Sequence, residues 1–280
     1  MSELQREPFA PTLDDGTAPL PTERTLRRRQ SLPVQALRFL AFSVRLVRMA
    51  PEAASLTSHG GSPCRVGHTG AVVVRRWWNE QVVPRLTDVG LNDATAGSWR
   101  TTVCGGATGE VLEIGFGSGR NLAYYPGAVS RVLAVEPAEL SWRRAAARVA
   151  ASGVPVERVG LDGAHLPVPD ASVDTVVSTW TMCTVPEVEE ALGEARRVLR
   201  PGGALRFVEH SLAPDERTAR RQRRLQPYWG RLAGGCHVDR DIAALVAGAG
   251  FDVELTYAGF IGGGPAKPWL WFVAGAATPA

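Results

Sequence analysis

Residues 111–119 read Val111-Leu112-Glu113-Ile114-Gly115-Phe116-Gly117-Ser118-Gly119, an apolar run that passes directly into three alternating glycines. The apolar part predicts a buried strand, and the glycines predict a tight loop that opens a helix. Glycine admits positive φ and lets a ligand approach the backbone, while the first turn of the next helix offers unpaired N–H groups to a polar or anionic ligand. The spacing is GxGxG. The dinucleotide fingerprint GxGxxG would need glycine where Arg120 stands, so the spacing disfavours NAD. An acid at Glu113, inside the strand end, is awkward beside a pyrophosphate and suits a ligand with ammonium and sulfonium groups reached through water.

Outward from this loop, strand-like and helix-like segments alternate. Strands are expected at residues 110–114, 131–136, 154–159, 173–178 and 204–209, and helices at 120–125, 141–151, 186–199 and 240–249. Two closing strands are expected near 252–257 and 270–275. The βαβ period predicts an α/β fold: a Rossmann-like, doubly wound, mostly parallel seven-stranded sheet with helices on both faces. A further helical pattern over 72–86 carries Trp77, Trp78 and Val82, with Pro84 expected to kink or end it. Such a helix could cover a bound ligand.

Two acids follow at successive strand ends. Glu136 lies 17 residues beyond Gly119, where a carboxylate can accept from both hydroxyls of a ribose. Asp162-Gly163 follows the third strand, where a carboxylate can accept from an exocyclic amine. Either acid alone would read as a solvated surface residue; together with the glycine loop they read as ligand contacts. Asn121 and Thr179, at the loop and at the fourth strand end, complete the expected binding set of Glu113, Gly115, Gly117, Gly119, Asn121, Glu136, Asp162, Gly163 and Thr179.

Residues 166–174 read LPVPDASVD and 197–203 read RVLRPGG. With the glycine loop and the two acids, these segments resemble class I methyltransferases of the type 11 branch, in family order from about Thr108 to Gly275. The resemblance implies S-adenosyl-L-methionine as cofactor, held at its methionine end by Gly115, Gly117 and Gly119, at its ribose by Glu136 and at its adenine by Asp162. Cys183-Thr184-Val185, Phe207-Val208-Glu209-His210 and Gly234-Gly235-Cys236-His237 further resemble the small-thiol methyltransferases. The acceptor implied is a small molecule, a thiol first among the candidates. A quinone or lipid methyltransferase, or a non-catalytic S-adenosylmethionine-binding protein, is the alternative.

In-line transfer to a thiol or hydroxyl requires the loss of one proton, for which His210 and His237 are the candidate bases, with Asp239 or Asp241 able to orient His237. Each histidine could equally be a hydrogen-bonded structural residue. The fourth strand ends Ser178-Thr179-Trp180-Thr181, without the Asn/Asp-Pro-Pro-aromatic pattern of enzymes that methylate base amines. Cys183 reads as a small core residue. The arginine-rich run 217–231, within a connection spanning 212–239, reads as a lid helix or a solvated arginine face, and Trp180, Tyr228 and Trp229 could line an apolar pocket or belong to the core.

The 280 residues, 45% hydrophobic, suffice for one full core with an appendage. The division expected is an irregular extension over 1–70 and a catalytic domain over 71–280. The net charge of +3 comes almost wholly from arginine, Lys267 being the only lysine. No nucleic-acid partner is expected from charge alone. Four cysteines, Cys64, Cys104, Cys183 and Cys236, fit neither a disulfide framework nor a recognised zinc spacing, so no metal is expected and the cytoplasm is the expected compartment. Residues 34–49 form a basic amphipathic pattern, too interrupted by Arg38, Arg45 and Arg48 to span a bilayer. It reads as a helix packed on the domain or as a peripheral membrane contact.

Overall fold

The structure, a computed structural model, describes residues 75–280. The extension expected over 1–70, with the amphipathic pattern at 34–49 and Cys64, lies outside the described residues. Seven strands form one sheet: β1 (Gly109–Ile114), β2 (Val129–Val135), β3 (Val156–Gly160), β4 (Val173–Thr179), β5 (Leu199–His210), β6 (Phe251–Phe260) and β7 (Trp271–Pro279). Their order is β3-β2-β1-β4-β5-β7-β6. The first five pair in parallel, whereas β7 runs antiparallel to both β5 and β6. The sheet is therefore mixed, with a single reversed strand. The short connection after β6 leaves no room for a crossover helix and so returns the chain as a hairpin.

Among the described residues the helices that accompany it include α1 (Val83–Gly90), α2 (Asp93–Cys104), α3 (Glu139–Ala151), α4 (Val188–Val198), α5 (Glu216–Leu232) and α6 (Ile242–Gly248). Successive strand residues point to opposite faces. Leu112 and Ile114 enter one buried cluster with Leu192 and Val198 of α4 and Ile242 and Val246 of α6, while Val111 and Val132 enter another with Trp99 and Val103 of α2 and Ala145 of α3. Covering both faces is what makes the parallel strands nearly continuous apolar runs.

Pro84 does not end its helix. The turn before it is wound as a π-turn over Trp78–Val82, in which Val83 N–H reaches back to Trp78 O, and Pro84 then sits in the first turn of α1, where an N–H is not needed. The segment expected as a helix over 120–125 is a 3₁₀ turn at Arg120–Tyr124. Among the described residues no helix is long and apolar enough to cross a membrane.

Candidate active site

The carboxyl ends of β1, β2 and β4 gather the residues expected to hold a ligand, at the edge where open α/β sheets bind them. Gly115, Gly117 and Gly119 all have positive φ, at 78°, 60° and 73°. A Cβ on Gly115 would lie 2.0 Å from Thr181 Oγ1, so this glycine lets the loop close against the turn after β4. Gly117 N–H donates to Glu136 Oε2 at 2.7 Å, and Ala138 N–H donates to Glu136 Oε1 at 2.7 Å. Glu136 thus ties the glycine loop to the end of β2, and each carboxylate oxygen keeps one lone pair. Burial raises its pKa above the ordinary carboxylate range.

Glu113 and Asn121 lie one layer deeper. Asn121 Nδ2 donates to Glu113 Oε1 at 2.9 Å and to Thr179 Oγ1 at 3.0 Å, and Tyr125 Oη donates to Glu113 Oε2 at 2.7 Å. Both Glu113 oxygens are therefore engaged by the protein, and burial pushes its pKa up to about 8. Glu113 braces Asn121 and Tyr125 beneath the loop. Asp162, beyond β3, is exposed and accepts from Ala164 N–H at 2.9 Å while facing His165 Nδ1 at 2.9 Å. Gly163 is buried, and a Cβ there would meet Ile114 at 3.0 Å.

Asp88 and Arg100 had no expected role. Asp88, on α1, accepts from Ser118 Oγ at 2.6 Å and Arg120 Nε at 2.7 Å and also pairs with Arg144. Burial opposes its charge, but these three partners together hold its pKa far below the usual range. Helix α1 is thereby tied to the glycine loop. Arg100, on α2, is 4% exposed, donates from Nε to Asn121 Oδ1 at 3.0 Å and lies 5.3 Å from the Trp180 ring centre. Its Nη1 is buried with no hydrogen-bond partner. Trp180 itself holds φ 54° at the end of β4, a strained position for a bulky residue and a common one at functional edges.

The carboxyl ends of β4 and β5 form the second half of the site. Glu209 is fully buried and accepts from Ser178 Oγ at 2.8 Å and from the backbone N–H groups of Thr181, Met182 and Cys183 at 2.9, 3.1 and 3.2 Å. This carboxylate fixes the turn that presents Cys183. Cys183 Sγ and Cys236 Sγ are 3.6 Å apart, and each lies 3.8 Å from His210 Nδ1. The contact with Cys183, aided by the charge of His210, holds Cys236 well below the ordinary thiol pKa; the same contact and burial raise Cys183 well above it. Burial alone would lower His210, but Cys236 and Glu209 together raise it. His237 is separate: its N–H donates to Cys183 O at 2.6 Å and its Nδ1 stands 3.4 Å from Asp239 Oδ1. Asp241 does not orient it, because Asp241 Oδ1 caps α6 by accepting from Ala244 N–H.

The arginine run is indeed helical as α5, and its anchors are two buried glutamines. Gln222 bridges Ala213 N–H and Ser211 O, and Gln226 bridges Val238 N–H and Cys236 O. Tyr228 is 67% exposed, whereas Trp229 packs against Trp269 beside the cysteines and Trp180 lies in the core by α2, so the three do not line one pocket.

Residues 112–207 match the family model for a methyltransferase domain. Thiol S-methyltransferase TMT1B of Rattus norvegicus is 34% identical over 151 residues, covering 49% of this chain and 58% of that protein. Thiol S-methyltransferase TMT1A of Homo sapiens is 35% identical over 145 residues, covering 47% and 55%. The chain thus spans little more than half the length of the curated relatives it matches. Among solved structures, a chain of the complex between the Haloferax volcanii Trm112 methyltransferase activator and a methyltransferase superposes with TM-score 0.53 at 15% identity, covering 74% of this chain and 98% of that one, a likeness of fold. Residues 112–207 are thus similar to a methyltransferase domain in sequence.

Proposed function

We propose that this protein transfers a methyl group from S-adenosylmethionine to the sulfur of a small thiol. The observation that carries this reading is the convergence of Cys183, His210 and Cys236. Three segments that resemble the small-thiol methyltransferases, separated by 27 and 26 residues, meet with their side-chain donors within 4.8 Å of one another. They do so on the sheet edge that carries the glycine loop.

The residues fit the cofactor. Arg100 Nη1 is a buried donor with no hydrogen-bond partner, 4.0 Å from Asp93 Oδ1, and a ligand carboxylate beside Asn121 would accept from it. The backbone of the glycine loop faces the rest of the methionine end, the free lone pairs of Glu136 suit two ribose hydroxyls, and Asp162 suits the adenine amine. When bound there, the cofactor supplies an electrophilic methyl carbon. The protein then has to hold a thiolate about 3 Å from that carbon and keep water out. The acceptor proton is released to solvent, with His237, whose side chain is 40% exposed and whose Nδ1 lies 3.4 Å from Asp239 Oδ1, as the candidate relay.

The test is incubation of the full chain with S-adenosylmethionine and a panel of alkyl thiols, a quinol and phosphatidylethanolamine, with methylated products read by mass spectrometry. S-methyl thioethers and S-adenosylhomocysteine in equal amounts are expected. Methylation of the quinol or the lipid amine alone would overturn the acceptor assignment, and calorimetry showing no binding of S-adenosylmethionine would overturn the reading entirely.

A further inference from the structure

We infer that Cys183, His210 and Cys236 form a binding site for a thiolate-preferring divalent cation of the Zn²⁺ type, with three protein ligands and a fourth position open. The argument is geometric. Zinc binds cysteine sulfur at about 2.3 Å and histidine nitrogen at about 2.0–2.1 Å in a tetrahedron, which sets an S···S edge of about 3.8 Å and S···N edges of about 3.6 Å. The edges here are 3.6 Å between the sulfurs and 3.8 Å from each sulfur to His210 Nδ1. All three agree with the tetrahedron to within about 0.2 Å, so the face needs almost no movement to accept the ion.

The donors are also held in place before any ion arrives. Cys183 is fixed through its N–H by Glu209, Cys236 through its carbonyl by Gln226, and the His210 ring packs 4.4 Å from that of Phe272. Such outer contacts orient metal ligands. The sulfurs are buried among Val238, Trp229 and Trp269, a setting in which a thiolate needs a nearby cation. Two sulfurs and one imidazole select a borderline-soft ion over magnesium or calcium. Among the described residues no fourth donor joins the three, and a three-ligand site with an open position is the catalytic rather than the structural pattern.

The use of that position rests on the thiol-methyltransferase reading above; the metal site itself does not. A thiol that ligates there would release its proton to solvent. Its sulfur then forms the new bond to the methyl carbon as the sulfonium C–S bond breaks, and that electron pair returns to the departing thioether. No oxidant or reductant is needed.

The experiment measures metal in the full 280-residue chain purified without chelators, by plasma mass spectrometry, and replaces the ion with Co²⁺. About one zinc per chain is expected, with thiolate-to-cobalt charge-transfer absorption, tetrahedral d–d bands, and loss of both in Cys236→Ser and His210→Ala. Adding a small thiol should shift the d–d bands. Less than about one-tenth of an equivalent of metal with no cobalt bands, or a Cys183–Cys236 disulfide found by mapping, would overturn the site. Cobalt bands untouched by thiol would overturn the open position. If neither variant folds by circular dichroism, the wild-type cobalt spectrum and its response to thiol decide. Thiol-responsive cobalt bands without methyl transfer would sink the proposed function and leave the metal site standing.

Discussion

Gly117 N–H and Glu136 Oε2 are joined by a 2.7 Å hydrogen bond, so the turn expected to face the methionine end and the acid expected to face the ribose are one mechanical unit. Removing the carboxylate costs the loop its anchor as well as the ribose its acceptor. Glu136→Ala is expected to weaken S-adenosylmethionine binding about 10- to 100-fold, since hydrogen bonds to a charged group contribute about 1.5–3 kcal/mol each. Glu136→Gln should recover little, because its amide NH₂ must face either Gly117 N–H or Ala138 N–H, which are both donors. Calorimetric titration of the three proteins checks this, and a glutamine variant with wild-type affinity would refute it.

The glycines separate by what surrounds them. An alanine at 115 meets Thr181 Oγ1 at 2.0 Å in addition to its unfavourable φ, whereas at 117 the nearest atom is Gly115 O at 3.9 Å. Gly115→Ala is expected to cost roughly 2–4 kcal/mol of stability, from strain and overpacking together. Gly117→Ala carries only the conformational penalty, about 1–2 kcal/mol. Urea unfolding of both variants gives the comparison; equal losses would mean that Thr181 does not close on the loop.

Much of this edge could be read from the sequence because strands covered on both faces are largely apolar, as Val111-Leu112 and Val176-Val177 show. The start of β5 could not. Arg200-Pro201-Gly202-Gly203 reads as a turn, yet it lies inside the strand as a bulge, with Gly202 at φ 82° and the pairing with β4 slipping from Val173↔Leu199 to Thr175↔Ala204. Helix α2 lacks an apolar stripe, being rich in small and hydroxyl residues; its one clear signal is Asn92, whose Oδ1 caps Ala94 and Thr95. With α2 went Arg100. The cysteine and histidine cluster follows no spacing rule, because its members come from three separate segments that only the sheet brings together.

Glu113 makes stability depend on pH. Its folded pKa of about 8 exceeds the ordinary 4.5, so between these values the folded chain keeps a proton that the unfolded chain has released. The stabilisation is complete below about pH 4.5 and is lost as pH rises towards 8, by up to about 1.4 kcal/mol per pH unit. Glu113→Gln keeps the acceptor for Asn121 and removes the titration. Melting curves at about pH 5 and about pH 8.5 should show a flatter dependence for the variant than for the wild type. Parallel slopes would show that Glu113 is ionised within the fold.

Glu209 governs the other half of the site through four donors: one serine hydroxyl and three consecutive backbone N–H groups. Glu209→Ala strands all four in a buried setting, and an unsatisfied buried donor costs about 1–3 kcal/mol. Partial relaxation of the turn limits the sum, so a loss of roughly 3–5 kcal/mol is expected, at the upper end of single substitutions. Glu209→Gln retains one acceptor oxygen and should fall between. Because the turn carries Cys183, both changes should also increase the reaction rate of that thiol with a maleimide, followed by mass spectrometry. A stability loss that leaves Cys183 as protected as in the wild type would show that the cysteine is held by its neighbours Cys236 and His210 rather than by the carboxylate beneath its backbone.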